Sequence, residues 1–346
     1  MRIRHVLIAG LASLALIGSA LAQTNTGRSG GQFLKISPSA RGVAFGGAYG
    51  AVAQDADAVF SNPAGLTHLR GLGVHLSHIS YVADINFNYA VVAMPLAGGV
   101  VGVQFGSMTT ASMPVTTIED PTNSLGITFD VSSWVAGISY ATSLTDRLSL
   151  GVTGKYARET IWDMTSGTMT FDVGTLYYTG FSNWRFAAIL QNFGPSGRFK
   201  GGHLVTQYNK FGGDQSETVA EDRSDSYDVP LTFRLATAYD FDINDRMVVT
   251  SSLEGAHPND SPESLSGGLE YSYNLPAVSV ALRAGYRVVG TQTVGTMKDL
   301  RLATDAAVLG VGVGVPFIAK KLAFDYTWQD YQKLGVNHLF SLSMNF

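Results

Sequence analysis

From Leu72 to its last residue the chain repeats one pattern, an alternating segment of about ten residues followed by a turn, some fourteen times over. The segments start near Leu72, Ile85, Gly99, Thr128, Asp146, Thr168, Trp184, Val229, Arg246, Ser264, Val278, Thr304, Lys320 and Asn337. Side chains of a strand point to opposite faces with period two, so the two faces can be read residue by residue. Between Val278 and Arg287 the even positions are apolar or aromatic, while the odd ones carry Ser279, Arg283, Gly285 and Arg287. Leu322, Phe324, Tyr326 and Trp328 likewise alternate with Ala323, Asp325 and Thr327, and Phe171, Val173 and Tyr177 with Asp172 and Gly174.

An unpaired backbone amide in hydrocarbon costs several kcal/mol, so a chain crosses lipid only as helices or as a closed barrel. Past Ala22 no run is long and apolar enough for a membrane helix, and only 14% of residues are charged, with 39 Gly, 18 Phe and 15 Tyr. The pattern predicts an all-β chain, a transmembrane antiparallel up-and-down β-barrel over 72–346 with an apolar face toward outer-membrane lipid. A soluble β-sandwich is the alternative with the same alternation. By parity the lumen receives Lys155, Asp172, Arg234, Glu254, Glu270, Arg283, Arg287 and Asp325, charges of mixed sign.

The connections sort by length, as in barrels with short periplasmic turns and longer outer loops. The expected inner turns lie at Pro95–Gly98, Thr142–Thr145, Gly180–Asn183, Asp242–Asp245, Leu275–Ala277 and Pro316–Ala319. The long outer connections are Thr110–Ile127, Gly194–Asp228 and Val289–Ala303, while the first outer turn, near Val82–Asp84, is short. At the far end Phe340, Leu342, Met344 and Phe346 alternate with Ser341, Ser343 and Asn345, a pattern resembling the signal read by the barrel-assembly machinery. At the start Arg2, Arg4 and His5 precede an apolar run ending in Ala20-Leu21-Ala22, which predicts a secretory signal over 1–22 with cleavage near Ala22. The absence of Cys fits an oxidising compartment.

Residues 23–71 are rich in small side chains and not strand-like. A fourteen-strand barrel encloses more space than its side chains fill, so this segment is expected in the lumen as a plug, with a short helical stretch from about Asp55 to Asn62-Pro63. A periplasmic extension is the alternative. The motif positions are Pro38, Arg41, Gly46, Gly47, Asp55, Asp57, Asn62, Pro63 and Gly65. Together with Leu190 to Pro195, Pro230 to Arg234 and the stretch from Asp325 to Phe346, this region resembles the PorV/PorQ family. That family belongs with the FadL-like fourteen-strand barrels, whose plugs also carry an Asn-Pro-Ala motif.

The resemblance implies integral residence in the outer membrane and an accessory role in type IX secretion. The implied partners are translocon or attachment-complex proteins and the C-terminal signal domains of exported proteins. The FadL side of the resemblance implies instead uptake of hydrophobic small molecules, with Phe33, Phe45, Phe60 and Leu66 along the path. A general porin is disfavoured by the plug. No catalytic constellation stands out, so no enzyme activity and no cofactor are expected. His68, His75, His78, His203, His257 and His338 are scattered, and His75 and His78 point to opposite faces of one strand, a poor metal pair. Gly310-Val311-Gly312-Val313-Gly314 lies inside a strand with no helix after it, which suits small luminal positions and not a nucleotide loop. A net charge of −4 without a basic stripe disfavours nucleic acid.

Overall fold

The computed structural model describes residues 29–96, 98–118, 120–208, 218–221, 224–290, 306–317, 320–331 and 335–346. The expected secretory signal and its cleavage site lie outside them. The wall consists of β1 (Gly73–Tyr81), β2 (Ile85–Leu96), β3 (Gly99–Thr109), β4 (Val131–Ser143), β5 (Leu148–Ile161), β6 (Met164–Tyr178) and β7 (Arg185–Phe193). It continues with β8 (Thr232–Asn244), β9 (Met247–Pro258), β10 (Ser264–Asn274), β11 (Ser279–Val289), β12 (Ala306–Phe317), β13 (Lys320–Asp330) and β14 (Val336–Asn345).

Each strand pairs antiparallel with its chain neighbour, and β14 returns to β1 from Gly73 opposite Asn345 to Ser80 opposite His338, so the fourteen strands close a barrel. The alternation gives this cylinder two unlike faces. Leu253, Leu269, Leu282 and Leu309, on four successive strands, point outward and are each more than half exposed. Ser252, Glu270, Arg283 and Val308, beside them in sequence, point inward and are buried. An outer face of this kind is stable in hydrocarbon, where each leucine removed from water is worth about 1.5–3 kcal/mol. Phe340, Leu342, Met344 and Phe346 also take outward positions, with Phe340 against Tyr326.

The turns after β2, β4, β6, β8, β10 and β12 are short and share one end of the barrel; the other end carries the long connections after β3 and β7 together with the short turns 82–84 and 162–163. Three expected starts are off by three residues or more, among them Val229, since β8 begins at Thr232. Thr128 and Phe129 do not begin β4 but pair with Met113–Pro114 as a small hairpin within the long connection, and β6 starts at Met164, four residues before the expected Thr168. The loop after β3 uses its own β-prone residues for a local ladder, which period-two alternation alone does not separate from the wall.

Ahead of the barrel are α1 (Ala40–Ala44), α2 (Ala58–Ser61) and a 3-10 turn over Pro63–His68. The Ser39 side chain caps α1, accepting from the Gly42 N–H at 3.0 Å. Asn62 caps the 3-10 turn by accepting from the Ala64 N–H at 3.1 Å, with Pro63 in the first position, where its missing N–H costs nothing. The helical stretch expected from about Asp55 starts later, at Ala58, and ends at Asn62 as expected, with the 3-10 turn following it.

Leu269 sits mid-strand on the outward face, so Leu269→Arg should destabilise the membrane-inserted barrel by about 2–4 kcal/mol. Denaturant unfolding in lipid vesicles measures this, and an unchanged midpoint would contradict a lipid-facing position there.

Candidate functional site

The inner surface of the barrel is built around the segment from Gly31 to Leu69. Phe45, Tyr49, Val59 and Leu66 are fully buried and form one core with inward residues such as Phe87, Val91, Leu176 and Ile189. The wall meets this segment with glycines. A Cβ at Gly285 would fall on the backbone of Phe45 and Gly46, one at Gly268 on Phe45, and one at Gly310 on the Ala44 side chain. Across the lumen a Cβ at Gly151 would strike Pro63 and Ala64, and one at Gly174 would strike Asn62. Gly46 and Gly47 themselves adopt positive φ, 67° and 92°, where a side chain would be strained.

Hydrogen bonds fix the motif residues. Asn62 donates to Gly50 O at 2.8 Å and to the wall carbonyl of Thr175 at 3.1 Å. Asp57 accepts from Ser39 Oγ at 2.6 Å and Tyr49 Oη at 3.1 Å, and burial pushes its carboxyl above the usual range, against the pull of His75 and the Ser39 hydroxyl. Asp55 accepts from the Asn345 side chain at 2.8 Å. Pro38 is buried, and Gly65 lies where a Cβ would strike the Ala53 carbonyl.

The eight expected luminal charges all lie on inward positions and fall into three networks and one remainder. Glu270 accepts from Arg41 at 2.8 and 2.9 Å and from Arg283 at 2.5 Å, and Arg283 also pairs with Asp325 at 2.6 Å. Glu254 accepts from Arg234 at 2.5 Å and from the Gly50 N–H at 2.9 Å. Lys155 pairs with Asp172 at 2.8 Å and donates to Asn192 at 2.6 Å. That third network seals a bulge between β6 and β7, where Asn192 has φ 58° and its N–H turns to the Asp172 side chain at 2.8 Å. Arg287 is the remainder; among the described residues it donates to Ser264 Oγ at 3.2 Å.

Sequence parity did not find Arg185, which is buried, pairs with Asp240 at 2.5 Å and donates to Ala51 O at 2.6 Å. Its inward neighbours Ala187 and Ile189 are apolar, so this stretch carries no polar luminal stripe to flag it. Phe33, Phe45 and Leu66 are packed in the core, whereas Phe60 borders a cavity. His75 is inward, its Nδ1 2.9 Å from Ser343 Oγ, and His78 is outward beside Asn88. The glycines of Gly310–Gly314 admit Ala44 and the Arg283 and Lys321 side chains. Among the described residues no three His, Asp or Glu side chains gather as a metal site.

Two cavities flank the stretch Arg41–Gly47. The one toward the long loops measures about 180 Å³ and touches Gly42, Gly47, Phe60 and Arg287. The one toward the short turns measures about 280 Å³ and touches Arg41, Glu270, Lys321 and Asp325.

No protein-family model matches the chain, and no curated protein matches it. Solved structures do. The toluene transporter TodX of Pseudomonas putida aligns over 88% of this chain and 97% of its own, with 11% identity and a TM-score of 0.56. The toluene transporter TbuX of Ralstonia pickettii aligns over 89% and 97%, with 10% identity and a TM-score of 0.54. A FadL homologue of Pseudomonas aeruginosa aligns over 85% and 94%, with 12% identity and a TM-score of 0.51. The chain shares the FadL-type barrel fold. At these identities the likeness speaks for the fold, and PorV/PorQ membership rests on the sequence resemblance alone.

Gly285→Val should drive Phe45 and Gly46 off the wall, exposing residues 29–71 to protease while the barrel still migrates as folded in unheated gels; full protection would refute the close seat. Glu270→Gln leaves Arg283 with Asp325 and Arg41 with Asp55 at 3.7 Å, and should cost about 1–3 kcal/mol in denaturant unfolding in micelles.

Proposed function

We propose that this chain resides in the outer membrane as a FadL-like conduit for small hydrophobic molecules, with residues 29–71 as its luminal plug. The observation that carries this reading is a lumen filled by a segment seated on wall glycines, inside a barrel of the FadL fold. A water-filled porin needs the opposite, an interior left open from end to end. Here Arg41–Gly47 stands between two cavities, so passage requires the segment or the wall to give way. The outward leucine face supports the membrane location. The three solved relatives are transporters or a transporter homologue, which favours uptake over catalysis as the use of this barrel.

A second reading, a type IX accessory barrel binding exported C-terminal signal domains at its outer loops, is carried by the resemblance at Pro38 to Leu66 and at Leu190 to Pro195. The solved relatives favour the conduit.

Proteoliposomes containing the full chain should accumulate labelled toluene faster than empty vesicles, and planar bilayers with the same preparation should stay free of large steady conductance. Equal uptake in both vesicle sets would overturn the conduit, and large steady channels would return the protein to the porins.

A further inference from the structure

Among the described residues, seven of the eight expected luminal charges are in ion pairs. Around the cavity at the long-loop end, Lys35 is paired with Asp260 at 2.7 Å. Arg234 is committed to Glu254 and also donates to Ser61 O at 3.2 Å and to Gln191 Oε1 at 2.9 Å. Gln191 in turn gives its amide N–H to Phe60 O at 2.7 Å. Arg287 differs. It stands on the inward face of β11, borders the same cavity, and makes no ion pair among the described residues. A guanidinium carries five N–H donors in a planar fork, and among the described residues Arg287 gives one of them to Ser264.

A cation with free donors at the wall of a small chamber favours an anion as visitor, because a planar oxyanion accepts two parallel N–H bonds from such a fork. The chamber also has an apolar side, supplied by Leu34, Tyr49, Phe60 and Pro258. Its volume of about 180 Å³ bounds the apolar body. A cavity of about 150 Å³ holds benzene, so this one has room for a single ring with a small substituent and none for a long acyl chain laid out straight.

We propose that this cavity binds a compact aromatic carboxylate, with the ring against Phe60 and Tyr49 and the carboxylate on Arg287. The proposal rests on the conduit reading and names a solute class for it. Selection arises because a neutral ring leaves the Arg287 donors unused, whereas the carboxylate fills them. A charge-assisted pair of this kind is worth about a ten- to hundredfold gain in affinity.

The test is calorimetric titration of the full chain in detergent micelles with benzoate and with toluene. Benzoate should bind at least about tenfold more tightly. Arg287→Gln should erase that advantage and leave toluene affinity as it was, Arg287→Lys should restore part of it, and Ala256→Trp, which fills the chamber, should weaken both ligands. Unheated gel migration confirms that each variant is folded. Equal benzoate affinity in the wild type and Arg287→Gln overturns the proposal. Toluene binding without a benzoate preference sinks the proposal and leaves the conduit standing, whereas binding of neither ligand brings down both.

Discussion

Everything in this fold follows from backbone amides that have no water to bond with. In hydrocarbon each strand must satisfy its N–H and C=O groups on both sides, so the sheet has no permissible edge and β14 must find β1. The register from Gly73–Asn345 to Ser80–His338 completes that ladder. Closing the ladder with fourteen strands sets a circumference, and the circumference creates a second problem. An eight-strand barrel is filled by its own inward side chains, but a wider one is not.

The chain meets the second problem with its own N-terminal region and not with larger wall side chains. The wall instead grows thinner where the segment approaches. Gly268, Gly285 and Gly310 on β10 to β12 accept Ala44 to Gly46, and Gly151 and Gly174 on β5 and β6 accept Asn62 to Ala64. Two seats on opposite sides fix the segment across the lumen, so backbone meets backbone at van der Waals distance. The ion pairs add orientation more than stability, since a buried pair returns little beyond the cost of desolvating it. Glu270 is an example. It draws Arg41 to a single place on the inner wall, next to the glycines that α1 covers.

The wall was largely legible because period two is strict wherever one face meets lipid and the other a polar interior. Several expected starts, including Ile85, Gly99, Ser264 and Lys320, coincide with the observed strands. Legibility failed where that contrast weakens. Thr128 and Phe129 alternate like a wall strand but pair locally, and Arg185 is inward among apolar neighbours. The helix α1 spans five residues, too few for a helical period to show. The partners of the luminal charges were hidden for another reason: Arg41 and Glu270 are 229 positions apart, and only closure brings them together. Parity can say that a charge points inward, but which charge it meets depends on strand order and register.

The ties between segment and wall are graded, and that grading bears on how the proposed conduit would open. Asp57, Ser39 and Tyr49 bond within the segment, so it is braced without help from the wall. Glu270 holds both Arg41 and Arg283, and Arg283 also holds Asp325. Arg41 is the most exposed member at 25%, against 6% for Glu270 and Arg283. If Arg41 withdraws, Glu270 keeps Arg283 and no wall charge is left alone in a buried place. The costly event, a carboxylate stranded without a cation, is therefore avoided on the wall side. The remaining barrier at this point is steric, the fit of Phe45 and Gly46 over Gly268 and Gly285, and contacts of that kind fall off within an ångström of displacement.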